Sequence, residues 1–391
     1  MWAPQNVLGG SGPADQTPML PSPDSCLVFL GTAVLSAILT GATAWAARRF
    51  GFLARPVERS SHSAPTPQLG GVGICLALLA MLVFFPGALG LGPTVGGSSA
   101  SLPFHSVRWA VTLLLAAGMA LGLVDDVRHL GALKKLAGLA LLAAVPLLFG
   151  LSLADAQAPG LGGEALGPWV GGALALAWAL FFINAYNFMD GVNGQSGVFA
   201  LNALAWWFVL AAVDGRDPAQ SQEFARGMQM LYLALAGAVA GFLPWNFPRA
   251  ATFMGDSGSL PLGAVLATLA VAGGARSLDA FVAYCLPLSV FVYDVLYTLV
   301  RRVRRRENLF TAHRSHLYQR LLIATGWSHA RLLAFHLPLY LLTGAASALY
   351  YGASGRGGRL LVLTAVTLLL VAYTLLVLRF ERRGKEETEH G

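Results

Sequence analysis

The sequence predicts an all-α integral membrane protein: about eleven transmembrane helices in one bundle, with the N-terminus outside and the C-terminus cytoplasmic. Three observations predict it. Apolar residues make up 56% of the 391 and charged residues only 12%, where a soluble protein carries about 25% charged. Mean hydropathy is +0.62. Apolar runs of the length that crosses a bilayer, roughly 20 residues, recur along the chain.

The first 26 residues are rich in Pro, Gly and Ser and hold no Lys or Arg. A cleaved signal needs a basic start followed at once by an apolar stretch, so residues 1–26 read as a disordered extramembrane leader. Residues 27–379 read as a single polytopic membrane domain. Its spans are expected at 27–47, 70–90, 108–124, 135–151, 168–187, 197–213, 228–245, 258–275, 279–300, 331–350 and 359–379. Several are rich in Gly and Ala, which lets helix backbones approach closely in lipid. Residues 380–391 read as a charged cytoplasmic tail. Cys26, Cys75 and Cys285 have no disulfide or metal spacing and read as buried free thiols.

Lys and Arg placement sets the orientation. With the N-terminus outside, 20 of the 26 basic residues face the cytoplasm; the exceptions are Arg108, Arg216, Arg226, Arg276, Arg356 and Arg359. Basic residues lining the inner leaflet suit anionic lipid headgroups. They do not form the aromatic-laced groove of a nucleic-acid binder, and no nucleic-acid partner is expected. The net charge of +7 is therefore a membrane signature.

Polar residues are costly in a membrane protein and mark function. Four clusters fall on the cytoplasmic side. GLVDDVRHL ends the third span with Asp125 and Asp126. Adjacent carboxylates repel, so a cation or proton between them is favoured. One of them binds Mg²⁺ or acts as a base while the other pairs with Arg128 or Lys134; the plainer reading is an interfacial pair matched by nearby basic residues. INAYNFMDGVNG ends the fifth span with Asn184, Asn187, Asp190, Gly191, Asn193 and Gly194. Asn184 and Asn187, at i and i+3, share a helix face, and the plainer reading is a capping turn. In WNFPRAATFMGDSGSL, Asp256 lies directly before a helix whose N-terminus suits phosphate oxygens; alternatively Asp256 or Ser257 merely caps that helix. In LFTAHRSHLYQRL, a helical reading puts His313, His316 and Arg320 within an arc of roughly 60°. That is a phosphate-binding or proton-handling face, or else an interfacial structural helix.

Carboxylates, imidazoles, arginines and amides at one surface suit Mg²⁺-assisted phosphoryl transfer. Transport is the rival class, but a transporter places ionisable groups near the bilayer midplane. Only Asp294 does so here, and Arg301 or Arg302 two turns on offers it a structural partner.

At these motifs the sequence resembles the polyprenyl-phosphate N-acetylhexosamine-1-phosphate transferases, glycosyltransferase family 4, over about residues 50–320. RPVERSSHSAPTPQLGGVGI, GLVDDVRHL, NAYNFMDGVNG, NFPRAATFMGDSGSL and AHRSHLYQRL stand in the family's order. The resemblance implies a bacterial inner-membrane enzyme with a cytoplasmic active site and a homodimer as one permitted assembly. A UDP-N-acetylhexosamine and undecaprenyl phosphate would give undecaprenyl-diphosphate-sugar and UMP, with Mg²⁺, or Mn²⁺ in its place. It implies that Asp256 and Asp190 hold the metal, that Asp125 and Asp126 form an acidic pair, and that Asn187 orients the diphosphate. Asn193, Asn246 and Phe253 would line the uridine pocket, Phe253 by stacking. His313, Arg314 and His316 would bind phosphates or sugar, and Arg59, Ser61 and His62 would touch substrate. Ala54 and Gln68 stand where the family often has Asp and Arg. HRSHLYQ replaces the three-histidine run of the peptidoglycan branch, so the last motif is closer to the O-antigen branch, which includes users of 6-deoxy sugars. The peptidoglycan-precursor transferase is the alternative.

Overall fold

The computed structural model describes residues 23–54, 65–89, 104–158, 163–214, 222–309, 311 and 313–390, and they are almost entirely helical. The helices are α1 (Pro23–Phe50), α2 (Gly70–Phe84), α3 (Phe104–Arg128), α4 (Ala132–Leu148), α5 (Gly167–Phe188), α6 (Gln195–Asp214) and α7 (Gln222–Asn246). They continue with α8 (Asp256–Gly274), α9 (Leu278–Cys285), α10 (Ser289–Arg304), α11 (Leu317–Thr325), α12 (His329–Gly352) and α13 (Gly355–His390). One two-stranded ribbon, β1 (Leu53–Ala54) with β2 (Thr66–Pro67), follows α1.

Every expected span is helical, and among the described residues nine segments are long and apolar enough to cross a bilayer, α9 and α10 counting as one. The other two are shorter: α2 falls short of its expected 70–90, and α4 equals its expected 135–151 in length. Helix α2 has 15 residues and stops before Phe85-Pro86, because proline disfavours the helical conformation of the residue before it. Helix α4 has 17, with Pro146 in its last turn. At 1.5 Å per residue both fall short of the roughly 30 Å hydrocarbon core. The leader up to residue 22 lies outside the described residues, and the expected tail continues α13. Cys75 is buried, whereas Cys26 is exposed on α1 and Cys285 only partly covered.

Helix α8 is the centre of the bundle. Its spanning stretch is 94% buried, and α2, α3, α5 and α9 all pack on it. Small residues make that closeness possible. A Cβ on Gly122 of α3 would sit 2.2 Å from the Asp256 carbonyl oxygen at the start of α8. Gly237 and Gly241 of α7 meet the Phe29 and Ala33 carbonyls of α1 in the same way. Close contact at Gly122 brings the last turn of α3 against the first turn of α8, and there the polar residues gather.

Candidate active site

The last turn of α3 carries two carboxylates that diverge rather than share one cation. Asp126 accepts the backbone N–H of Asp256 and of Ser257, each at 3.0 Å. A helix begins with unsatisfied amides and a positive end, and here a carboxylate from a neighbouring helix satisfies both. This corrects two expectations at once. Neither Asp256 nor Ser257 caps α8, and these two amides are occupied by Asp126 instead of open to phosphate. Asp125, nearly buried, accepts the Leu130 amide at 2.7 Å and the Lys135 ammonium at 2.9 Å. Arg128 and Lys134 were the expected partners; Lys135 is the observed one.

Asp256 itself points into the site. Its Oδ2 meets Lys135 Nζ at 2.5 Å and its Oδ1 accepts from Asn187 Nδ2 at 2.7 Å. Asn187 also donates to Ser259 Oγ at 2.8 Å and accepts from Lys135 at 3.2 Å. Asn184, expected on the same face, turns back to the Leu180 carbonyl of its own helix at 2.8 Å. The i, i+3 pairing therefore does not carry both amides into the site. Gly255, at φ +69°, sets Asp256 in place; a Cβ there would meet the Gln68 carbonyl oxygen at 2.2 Å. Gln68 donates to the Asp126 carbonyl at 3.0 Å.

Asp190 follows α5 and accepts from the Ser196 hydroxyl. Burial, then the charges of Asp256 and Asp126, push its carboxyl up to about 7. The turn after it is tied to the next loop: Asn246 accepts from the Gly194 amide at 2.6 Å and donates to the Thr252 carbonyl at 3.1 Å. Asn193 donates to the Pro248 carbonyl at 3.2 Å. Phe253 donates its amide to Pro67 of β2 at 2.7 Å. Asp126, Asn187, Asp190, Asn193, Asn246, Phe253, Asp256 and Arg314 line one cavity of about 340 Å³ with Gln68, Tyr318 and Gln319.

The last motif differs from its expected form. Helix α11 begins at Leu317, so His313 and His316 precede it and share no helical face with Arg320. Arg320 instead pairs with Glu381 of α13. His313 Nδ1 meets Ser315 Oγ at 2.8 Å, and burial, with His316 and Arg302 nearby, pushes its imidazole down to about 4. His316 is buried against Asp294, Nδ1 to Oδ1 at 3.1 Å. Asp294 was expected to meet Arg301 or Arg302. The Arg302 guanidinium is taken by Glu307 and by the Asn308, Leu309 and Thr311 carbonyls. Arg59, Ser61 and His62 lie outside the described residues.

Sequence reasoning missed Lys135, Tyr318 and Gln319, and treated Gln68 only as a departure. The KK pair after the third span was a visible signal for Lys135; which lysine faces inward depends on how α4 docks.

The family model described as Glycosyl transferase family 4 matches residues 108–274, from α3 to the end of α8. The chain is 32% identical over 353 residues to a decaprenyl-phosphate N-acetylglucosaminephosphotransferase of Mycobacterium tuberculosis, covering 85% of this chain and 84% of that one. The chain belongs to glycosyl transferase family 4. Another relative is an undecaprenyl-phosphate alpha-N-acetylglucosaminyl 1-phosphate transferase of Thermotoga maritima, 27% identical, covering 82% of this chain and 90% of that protein. A phospho-N-acetylmuramoyl-pentapeptide-transferase of Mycobacterium sp. (strain KMS) is 28% identical over 73% of this chain and 84% of its own length. As a family 4 member this chain is a phosphoglycosyltransferase, and the transporter reading is set aside.

Proposed function

We propose that this enzyme transfers an N-acetylhexosamine 1-phosphate from a UDP-sugar to a polyprenyl phosphate at the cytoplasmic membrane face, starting a lipid-linked glycan. The observation that carries the proposal is that Asp126, Asp190, Asp256 and Arg314 line one cavity, with Lys135 paired to Asp256. The relatives' names support the donor and acceptor classes. The peptidoglycan-precursor alternative is not favoured, since relatives of that name match less of the chain.

The donor set fits Mg²⁺. Among the described residues no three His, Cys, Asp or Glu side chains form a cage. Mg²⁺ does not need one, because it takes one or two carboxylates and completes its shell with phosphates and water. Asp190 and Asp256 would hold it. Asp190 would gain from a divalent cation, since burial and its neighbours oppose its charge. When bound, the ion neutralises diphosphate charge.

The chain's own residues do the rest. Lys135 places an ammonium beside Asp256 and offsets the charge of the acidic cluster. Asn187 fixes the Asp256 rotamer. Asp126 holds the start of α8 so that Asp256 faces the cavity. Phe253 offers a ring to the base, and Asn193 and Asn246 offer amides. A lipid phosphate oxygen attacks the phosphorus next to the sugar; a new P–O bond forms there, the bond to the nucleoside phosphate breaks, and UMP leaves. No covalent enzyme intermediate is needed.

The test is UMP release by purified protein in detergent, with Mg²⁺, polyprenyl phosphate and a panel of UDP-sugars. Asp256→Ala is expected to lose activity by about 10³-fold or more while folding normally. Full activity in that variant removes Asp256 from the mechanism, and no UMP from any UDP-sugar overturns the proposed reaction.

A further inference from the structure

Helix α11 is nine residues long, and isolated helices that short are marginal in water. Its position must come from tertiary anchors. Tyr318, Gln319, Leu322 and Ile323 line the active-site cavity; at roughly 100° per residue they occupy an arc of about 140°. Two acidic residues from other helices hold α11 in place. At its start, Asp294 of α10 accepts the Leu317 amide at 2.9 Å and the Tyr318 amide at 3.0 Å. The same carboxylate takes His316 Nδ1 at 3.1 Å and the Thr298 hydroxyl at 3.3 Å, and it is wholly buried. On the far side, Arg320 makes a two-pronged pair with Glu381 of α13, with Nε to Oε1 at 2.6 Å.

We propose that Asp294 and Glu381 are positioning residues: together they fix the roll and depth of α11 so that Tyr318 and Gln319 grip the nucleotide sugar. The proposal rests on the reaction inferred above. It gives the segment beyond residue 379 a part in substrate binding, because Glu381 lies there. Bidentate guanidinium–carboxylate pairing sets orientation as well as distance, which suits a helix that must present one edge to a ligand. Trp327, just after α11, packs edge-on against Phe380 of α13, with ring centroids 5.4 Å apart, and extends the same brace.

The experiment uses the full chain in detergent, with UDP-N-acetylglucosamine varied at saturating polyprenyl phosphate and Mg²⁺. Arg320→Glu and Glu381→Arg are each expected to raise KM for the nucleotide sugar about ten-fold and leave kcat within about two-fold. The charge-exchanged double variant is expected to recover most of that loss, which a merely destabilised bundle would not do. Asp294→Asn, which puts an amide among N–H donors, is expected to raise KM in the same way. Unchanged KM in the single variants, a fall in kcat alone, or a folded double variant no better than its parents would overturn the proposal. If the exchanged variants do not fold, the KM of Glu381→Gln decides, since Glu381 is partly exposed. A wild-type enzyme that releases no UMP from any UDP-sugar refutes the reaction and not the brace. Hydrogen exchange then decides the brace: protection of residues 317–325 falls about ten-fold or more in Glu381→Gln, and unchanged protection overturns the proposal.

Discussion

Lys135 decides the charge balance of the site. Asp125, Asp126, Asp190 and Asp256 bring four carboxylates to one region, and Lys135 touches two of them. Removing the ammonium leaves Asp125 and Asp256 without that counter-charge in a water-poor setting, where an unpaired charge is costly. Lys135→Met is therefore expected to lower kcat by about 10²–10³-fold, measured as UMP release at saturating substrates. Activity within two-fold of wild type would show that the lysine is not needed. Asp190 and Asp256 stood out in the sequence as acids beside glycine at a membrane boundary, although Asp256 read equally as a helix cap. Lys135 did not, since Lys134 stands next to it and only the docking of α4 selects the one that faces inward. The same limit applies to Asn184, whose side chain is satisfied within its own helix.

At the scale of elements, the loop before α11 has a pH signature. Burial holds the His313 imidazole down at about 4, against an ordinary value of 6.5. Between those values the unfolded chain binds more protons than the folded one, so stability rises with pH across that window and is complete above about 6.5. His313→Gln is expected to flatten that slope in thermal unfolding scans in detergent from pH 4.5 to 7. An unchanged slope would assign the acid sensitivity to another group. The turn before α8 has a steric signature. Gly255→Ala places a Cβ against the Gln68 carbonyl at a positive φ and is expected to cost about 1–3 kcal/mol, read as a lowered unfolding midpoint. Element positions were legible from apolar runs, because spanning length is a strong constraint. The start of α11 was not, because its cap is Asp294, on another helix and 23 residues before Leu317.

At the scale of the molecule, the four clusters read from sequence lie in separate stretches of chain, and the bundle brings Asp126, Asp190, Asp256 and Arg314 to one cavity. The distribution of Lys and Arg predicts that all four clusters lie on one side of the membrane, which is testable in cells. In a background without Cys26, Cys75 and Cys285, cysteines placed at Arg128, Asn193 and Arg249 are expected to react with an impermeant maleimide only after permeabilisation. One placed at Arg356 is expected to react in intact cells. Labelling of Asn193 from outside would reverse the assigned orientation. The span expected at 70–90 runs past Pro86, whereas α2 stops at Phe84.

The carboxylate that α3 lends to the first amides of α8 ties chemistry to assembly. Because α3 precedes α8 in the chain, the carboxylate that seals the start of α8 is made before the helix it seals, and Asp256 takes its aim when the two dock. A change at Asp126 is therefore felt at Asp256, although 130 residues separate the two in the chain.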